Sequence, residues 1–311
     1  MPEQNPATGP LGSATLNGNL ITIDDYVNPP TRIPEIVRNL VGDNEGYFVE
    51  DLFHVPGFTV EGGAVIFTET FPEDHFLPED QTIAPRAPGA NAPVIGSTRR
   101  APKLVRPESW SGVIEVYDEH KRRMNVRAVQ RQFTQAANTF ADRLQTRGIQ
   151  TINGAVSAWD RVITTRTEGW RKPAEDGVIN TDPLLRPEAD FAAVEEQFIE
   201  DKAGMRPDTL LINQRDAYYL RVGYPEGKLK ALLDSYGIKN LRISPQVTEG
   251  EPIWAKAGQV GYLGFEKPLD QEHARKPRRK MDEYVLETVP AFVADDASAV
   301  LRVTGVDADG S

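Results

Sequence analysis

The strongest pattern in this sequence is a run of apolar residues that recur every three or four positions between about residue 125 and residue 159. The recurring residues are Val126, Val129, Phe133, Ala137, Phe140, Leu144, Ile149, Ile152, Val156 and Trp159. This spacing predicts one long amphipathic helix, because residues three and four apart share a helix face. Asn125 is a candidate N-cap and Gly148 a candidate kink. About 35 helical residues would span roughly 50 Å, so we expect an elongated body built along this helix.

The composition excludes several classes of protein. The chain has 311 residues, no cysteine and a net charge of −11. Disulfides and thiolate metal sites are therefore excluded, and strong sequence-independent DNA binding is not expected of so acidic a chain. No stretch reaches the ~18 uninterrupted apolar residues that indicate a membrane span. Residues 1–18 lack the order of a signal peptide, which predicts cytoplasmic synthesis.

The region before the helix reads as an arm followed by a projecting loop. Residues 1–50 are rich in Gly, Pro and Asn near the start and predict extended chain. Strand-like segments at 58–68 and 113–117 flank an insert, and we expect the second to be the return strand of the first. The insert, residues 71–103, contains six prolines. Because proline disfavours both helix and sheet, the insert predicts an arm that projects from the body.

The region after the helix predicts a compact α+β unit and a closing tail. Residues 187–202 read as a helix with Phe191, Val194, Phe198 and Ile199 on one face. We expect the tail strands at 284–289 and 299–303 to pack back onto the long-helix region. The other predicted elements are a buried strand at 207–213, short helices at 216–220 and 227–236, strands at 241–243 and 253–263, and a basic loop at 273–280.

Motifs for catalysis or cofactor binding are not found in the sequence. The four histidines, His54, His75, His120 and His273, do not have metal-ligand spacing. The sequence contains no H-E-x-x-H, nucleophile elbow, P-loop or dinucleotide-binding fingerprint. We therefore predict no enzymatic activity, no cofactor and no metal, while an enzyme with a dispersed active site stays an open alternative.

The order of these elements resembles the tailed-bacteriophage major capsid proteins with the Hong Kong 97-type fold, and in particular those of phages that infect actinobacteria. The resemblance rests on the loop arm at 57–71, the helix at 125–159 and the stretch Pro207-Asp208-Thr209-Leu210-Leu211-Ile212-Asn213-Gln214-Arg215-Asp216-Ala217-Tyr218-Tyr219-Leu220. It implies an α+β fold divided into an N-terminal arm (1–52), an extended E-loop hairpin with its base strands (53–118), a P-domain spine helix (119–165), a compact A-domain (166–282) and closing P-domain strands (283–311).

The resemblance also implies a function and a set of partners. Subunits of this family form pentamers and hexamers that close an icosahedral shell around double-stranded DNA, with an E-loop that reaches over a neighbouring subunit. The expected partners are further copies of the chain, a portal, packaged DNA through non-specific contacts, and a separate scaffolding protein. The last follows because about 50 residues before the E-loop are too few for a built-in scaffolding domain. The expected location is the virion capsid, after assembly in the bacterial cytoplasm. No membrane contact is implied.

One further departure from the family and one alternative function accompany the resemblance. Lys103 is the only lysine before Lys121, and no adequate partners for covalent crosslinking are found, so crosslinking is not carried over. An encapsulin-like nanocompartment shell, which shares the fold but encloses enzymes, is the alternative function. The acidic, proline-rich loop and the long N-terminal arm favour the phage capsid.

In an assembling subunit, the charged groups of the loop and tail become candidate contacts between copies. The acidic group is Glu73, Asp74, Glu79 and Asp80, and we expect it to meet a basic patch on a neighbouring subunit, with a solvated loop as the alternative. The candidate basic residues are Arg99, Arg100, Lys103 and Arg106, or Arg275, Lys276, Arg278, Arg279 and Lys280. For the second of these runs, subunit contact, DNA contact and a solvated loop all stay open.

Overall fold

A computed structural model of the chain describes residues 15–16, 19–20, 49–56, 60–77, 83, 91, 95–96, 100–123, 126–167, 169–171, 185–224 and 227–307. Its helices are α1 (Val49–Leu52), α2 (Asp118–Arg122), α3 (Val126–Ala158), α4 (Pro187–Glu200), α5 (Gln214–Gly223) and α6 (Lys228–Ser235). Its strands are β1 (Thr15–Leu16), β2 (Asn19–Leu20), β3 (Phe53–His54), β4 (Val65–Phe67), β5 (Lys103–Val105), β6 (Trp110–Tyr117), β7 (Val162–Thr164), β8 (Thr209–Ile212), β9 (Asn240–Ile243), β10 (Ile253–Ala255), β11 (Gly261–Lys276), β12 (Met281–Ala294) and β13 (Val300–Thr304).

The long helix α3 confirms the helix that the spacing of apolar residues predicts. It runs without interruption through Gly148, while the proposed cap Asn125 lies outside the described residues. Gly148 serves close packing, because a Cβ built there would lie 3.1 Å from a methyl carbon of Val49 in α1. The apolar face of α3 is buried over most of its length, at Val129, Phe133, Ala137, Ala141, Ile149, Ile152 and Val156.

A four-stranded sheet has the order β3-β11-β12-β6. Its β6 and the first part of β12 pack on the N-terminal half of α3, whereas β3, the start of β11 and the end of β12 pack near its C-terminal half. Strands β11 and β12 form a long antiparallel hairpin that ends at the pair Lys276 and Met281. Phe133 of α3 meets Tyr284 of β12 edge to face, with 5.7 Å between ring centroids. Ile114 and Val116 of β6 complete this cluster. The prediction of a basic loop at 273–280 is therefore only partly right, because residues 273–276 belong to β11 and residues 277–280 form the turn at the end of this hairpin.

Strand β6 does not pair with the segment predicted as its partner. Residues 113–117 belong to β6, which pairs with β12, and the return strand of the projecting loop is β5, which pairs with β4. The physical reason is burial, because pairing with β12 places Ile114 and Val116 against α3. The strand predicted at 58–68 is described as ordered strand only over Val65–Phe67, and residues 57–59 lie outside the described part.

A five-stranded sheet in the order β7-β13-β10-β8-β9 lies between the C-terminal half of α3 and the helices α4, α5 and α6. Successive side chains of each strand point to opposite faces of this sheet. Leu211 and Ile253 pack in the cluster with α3, whereas Leu210 and Trp254 pack toward the other helices. The predicted strand at 253–263 is two strands, because β10 belongs to this sheet and β11 begins the long hairpin.

Helix α4 packs with three of the four apolar residues expected on its buried face. Phe191, Val194 and Phe198 are buried, but Ile199 is 56% exposed, which corrects that prediction. The buried carboxylate of Asp190 accepts hydrogen bonds from Thr165, Thr167, the backbone N–H of Arg166 and, at 2.8 Å, the indole Nε1 of Trp170. These hydrogen bonds tie residues 165–167 and Trp170 to α4.

At two glycines of α3, we expect an added side chain to change the free energy of unfolding in opposite directions. At Gly154 a Cβ would meet no atom within 4 Å, so Gly154→Ala should raise the free energy of unfolding by about 0.5–1 kcal/mol through helix propensity. Gly148→Leu should lower it by about 1–3 kcal/mol, because the added carbons would press on Val49 and Phe292. Urea denaturation of the unassembled chain measures both. Equal effects at the two sites would contradict the packing described for Gly148.

Candidate assembly surfaces

The acidic group of the projecting loop has a basic partner within the same chain. Glu73 and Asp74 lie in a short 3-10 helix, Pro72–His75. Arg100 donates from Nε to Asp74 Oδ2 at 2.6 Å and from a terminal nitrogen to Glu73. Its guanidinium carbon also lies 4.0 Å from the centroid of the Phe71 ring. The structure thus brings one predicted acidic pair and one predicted basic residue together within a subunit, and the predicted contact between subunits stays a prediction.

The charge on Asp74 is stabilised by this arrangement. Burial acts to raise the pKa of Asp74, but hydrogen bonds from Arg100 and from the backbone N–H of Phe71 outweigh it and hold the pKa below its ordinary value. The Phe71 ring also contacts Trp159 just after α3, with 6.4 Å between ring centroids. The acidic pair therefore fastens the loop to the body of the subunit near the end of the long helix.

Backbone hydrogen bonds fasten the same loop to the end of β12. The N–H of Thr70 donates to Asp295 O at 2.7 Å, and the N–H of Ala297 donates to Thr70 O at 2.9 Å. His75 Nε2 lies 3.1 Å from Ser298 Oγ. Burial, and then the neighbouring Asp296 carboxylate, raise the pKa of Asp295 to about 6. The base of the projecting loop thus contains a carboxyl group that titrates close to neutral pH.

β4 and β5 form a two-stranded hairpin with an exposed apolar pair. It lies between these contacts and two further backbone hydrogen bonds to the body, from Val60 N–H to Phe265 O and from Glu108 N–H to Pro290 O. Ile66 and Leu104 are cross-strand partners, and they are 70% and 57% exposed. Lys103 donates to Glu69 at 2.6 Å across the hairpin. An isolated two-stranded hairpin is at best marginally stable in water, and exposed apolar pairs of this kind mark contact surfaces.

The basic run near residue 277 divides into two parts. Arg275 makes a bidentate pair with Asp118 at 2.6 and 2.7 Å, and Lys276 contacts Glu283 at 2.9 Å. Arg278, Arg279 and Lys280 are exposed at the end of the β11–β12 hairpin. The first two residues thus stabilise the hairpin, and the last three are available for an external partner.

Of the remaining predicted contact residues, only Arg106 lies within the described part of the chain. Glu79, Asp80 and Arg99 lie outside the described residues, and Arg106 is exposed after β5. The sequence reasoning missed Asp118 and Glu283 as partners of the basic run, and it missed Ile66 and Leu104. The consecutive apolar residues Val65, Ile66 and Phe67 were the one signal, because neighbouring residues of a strand face opposite sides and one of the three must face away from the others.

A groove of about 680 Å³ separates β6 from α3. Trp110, Gly112 and Phe140 form part of its lining, and Arg147 at its rim pairs with Glu108 at 2.6 Å. The described residues contain no group of three or more His, Asp or Glu side chains that could hold a metal ion. Nor does any helix in the described ranges combine the length and apolar character needed to cross a membrane.

Solved structures of other proteins are similar to this chain in fold. Neither protein-family models nor curated proteins match it by sequence. A phage-related protein from Bordetella bronchiseptica superposes with a TM-score of 0.57 at 15% identity, over 88% of this chain and 96% of that chain. A structure from Microbacterium phage Oxtober96 gives 0.54 at 13% identity, over 80% and 88%. The capsid of an empty GTA particle gives 0.54 at 9% identity, over 84% and 90%.

The chain has the fold of phage capsid proteins. The similarity extends over most of both chains in each comparison. The α+β fold class predicted from the order of elements is confirmed. The boundaries of the predicted arm, E-loop, P-domain and A-domain stay predictions.

The titration of Asp295 predicts a pH dependence of stability. Because its pKa is about 6 in the folded chain, above the ordinary value of about 4, the folded state holds this proton more tightly than the unfolded state does. The contribution of this group to stability is then fully present below about pH 4 and is lost as the pH rises through 6. Asp295→Asn should make that decline smaller. Part of the decline should remain in this variant, because burial also raises the pKa of Asp216 to about 6.

Urea midpoints measured from pH 4 to pH 7 test this expectation. Glu61→Gln, at an exposed position in the same loop, is the matched control and should leave the decline unchanged. A decline as steep in Asp295→Asn as in the parent chain would show that this carboxyl group ionises normally.

Proposed function

We propose that the chain is the major subunit of a phage capsid, which assembles through repeated contacts between copies into a closed shell around double-stranded DNA. The observation that carries this proposal is the match of nearly the whole chain to phage and GTA capsid structures. Surfaces that a single copy leaves exposed support it, because they need neighbours to be buried. Pentamers and hexamers in an icosahedral arrangement are the form of assembly that we infer.

The β4–β5 hairpin takes the role of the E-loop in this proposal. It extends from a base fixed by Thr70 and Arg100 and presents Ile66 and Leu104 on an exposed face. Burying two such side chains against a neighbour would contribute about 1.5–3 kcal/mol each. Since each subunit of a closed shell makes the contact once and receives it once, modest contacts add up to a stable particle.

Electron microscopy of the purified chain tests the proposal. The chain would be expressed alone and with a candidate scaffolding protein encoded beside it, and negative-stain images would be compared. We expect closed shells, tubes or capsomer-sized rings in at least one condition. A monodisperse monomer or dimer in both would contradict a capsid function.

The content of such particles separates the phage capsid from the nanocompartment alternative. A capsid of the proposed kind should be encoded with portal and packaging proteins and should enclose nucleic acid in infected cells. A nanocompartment shell should instead co-purify with a protein cargo. Particles that hold an enzyme and no DNA would favour the alternative.

The exposed pair on the hairpin gives a direct prediction. The double substitution Ile66→Asn and Leu104→Asn should reduce the yield of shells at least about tenfold, because each contact would lose more than ~1.4 kcal/mol. Stability of the unassembled chain should change by less than about 0.5 kcal/mol, since both side chains are exposed there. Sedimentation of shells and urea denaturation measure the two quantities.

Ile199→Asn is the matched control for this prediction. Ile199 is 56% exposed on α4, so the substitution removes a similar exposed apolar side chain away from the hairpin. Shell yields equal to the parent in the double variant would show that the hairpin pair makes no contact between subunits.

A further inference from the structure

The four-stranded sheet has a second face, turned away from α3, whose side chains are exposed at Val113 and Glu272 and half-buried at the other positions named below. Val113 of β6 lies opposite Val285 of β12, which lies opposite Glu272 of β11. Val113 is 56% exposed. We name this surface the outer sheet face, and its residues are Val113, Glu115, Asp270, Glu272, Glu283, Val285 and Glu287.

The outer sheet face carries an excess of negative charge around its apolar centre. Its five carboxylates are accompanied by two ammonium groups, because Lys267 contacts Glu287 at 2.7 Å and Glu272 at 3.1 Å, and Lys276 contacts Glu283 at 2.9 Å. Counted together, these groups give a net charge of −3.

One cross-strand pair on this face is unfavourable in an isolated subunit. Glu115 and Glu283 lie directly opposite each other in the register of β6 and β12, and like charges at such positions are destabilising. Lys276 contacts Glu283 at 2.9 Å and offsets part of this repulsion, whereas Tyr117 OH donates to Glu115 at 2.6 Å and adds no positive charge. An external cation beside Glu115 would offset the rest.

A group of matching charge lies at the end of the same hairpin. Arg278, Arg279 and Lys280, which we name the basic tip, are exposed and together carry a charge of +3. In one chain the tip does not reach the apolar centre of the face. Met281, beside the tip, pairs with Tyr117, and Val113 lies four residues further along β6, which is roughly 13 Å at ~3.3 Å per residue.

We propose that the basic tip of one copy docks on the outer sheet face of a second copy. This contact rests on the proposed shell function, and it names the partner of the basic run as a neighbouring subunit. The two surfaces differ, so the contact is heterologous and can close a ring of copies. Charge complementarity would set the register of the contact and speed its formation, and Val113 would supply its apolar centre.

The absence of cysteine from the chain makes disulfide trapping specific. Three variants would be compared under mild oxidation in assembly conditions: Val113→Cys, Arg279→Cys and the two together. A disulfide requires Cα atoms within about 7 Å, so the two positions cannot bridge within one chain. We expect disulfide-linked chains from the double variant and from a mixture of the two single variants, and monomers from each single variant alone.

Charge reversal supplies a second readout in the double-cysteine chain. Arg278→Glu with Lys280→Glu should slow crosslinking at least about tenfold, because attraction becomes repulsion. Glu115→Lys with Glu283→Lys should do the same, and the four substitutions combined should restore it. Lys228→Glu with Lys230→Glu, an equal charge change at exposed positions on α6, is the control and should leave the rate unchanged.

Several outcomes would overturn the inference. Crosslinking of Arg279→Cys alone would mean that tips meet tips, and no crosslinking in any variant would mean that the tip does not reach this face. Crosslinking lost after nuclease treatment would mean that DNA, and not the second copy, binds the tip. Shells seen by microscopy without the disulfide refute this contact but leave the shell function standing. Disulfide-linked oligomers that form no shells, tubes or capsomer-sized rings support the contact and contradict the shell function.

Discussion

The packing of one long helix under two different sheets is the constraint on which the rest of this structure depends. The N-terminal half of α3 packs against β6 and β12, through Phe133 and Tyr284. The C-terminal half packs against the five-stranded sheet, through residues such as Ile152 and Val156. A helix of 33 residues is about 50 Å long, so it can support both sheets. The sheets meet over its C-terminal half, where Phe292 of β12 and Ile253 of β10 belong to one core cluster.

This arrangement explains why so much potential contact surface lies outside the core. The β4–β5 hairpin is fixed at its base by Arg100, Phe71 and the backbone of Thr70, while its apolar pair faces outward. The β11–β12 hairpin is held in shape by Arg275 and Asp118 and ends in exposed basic residues. Internal ion pairs thus set the shape of both hairpins and leave their ends for partners. A subunit that must join neighbours in a fixed register benefits from rigid bases and exposed ends.

Sequence reasoning recovered the features that depend on local periodicity. The helix at 126–158 and the buried strand β8 follow from residues close in the chain. The pairing of β6 was missed because its partner, β12, lies more than 150 residues away and competes with a nearer strand-like segment. The return strand β5 has three residues in a proline-rich region, too short a pattern to predict. Arg275 and Asp118, 157 positions apart, form a pair that only the folded hairpin brings together.

Hydrogen exchange in the unassembled chain and in the assembled particle tests most directly whether neighbours complete this subunit. The amides of β4 and β5 should exchange rapidly in the unassembled chain, because a hairpin without a covering partner opens readily. They should become protected in the particle, while the amides of α3 should be protected in both states. Equal protection of β4 and β5 in both states would contradict the claim that the projecting hairpin is a contact between subunits.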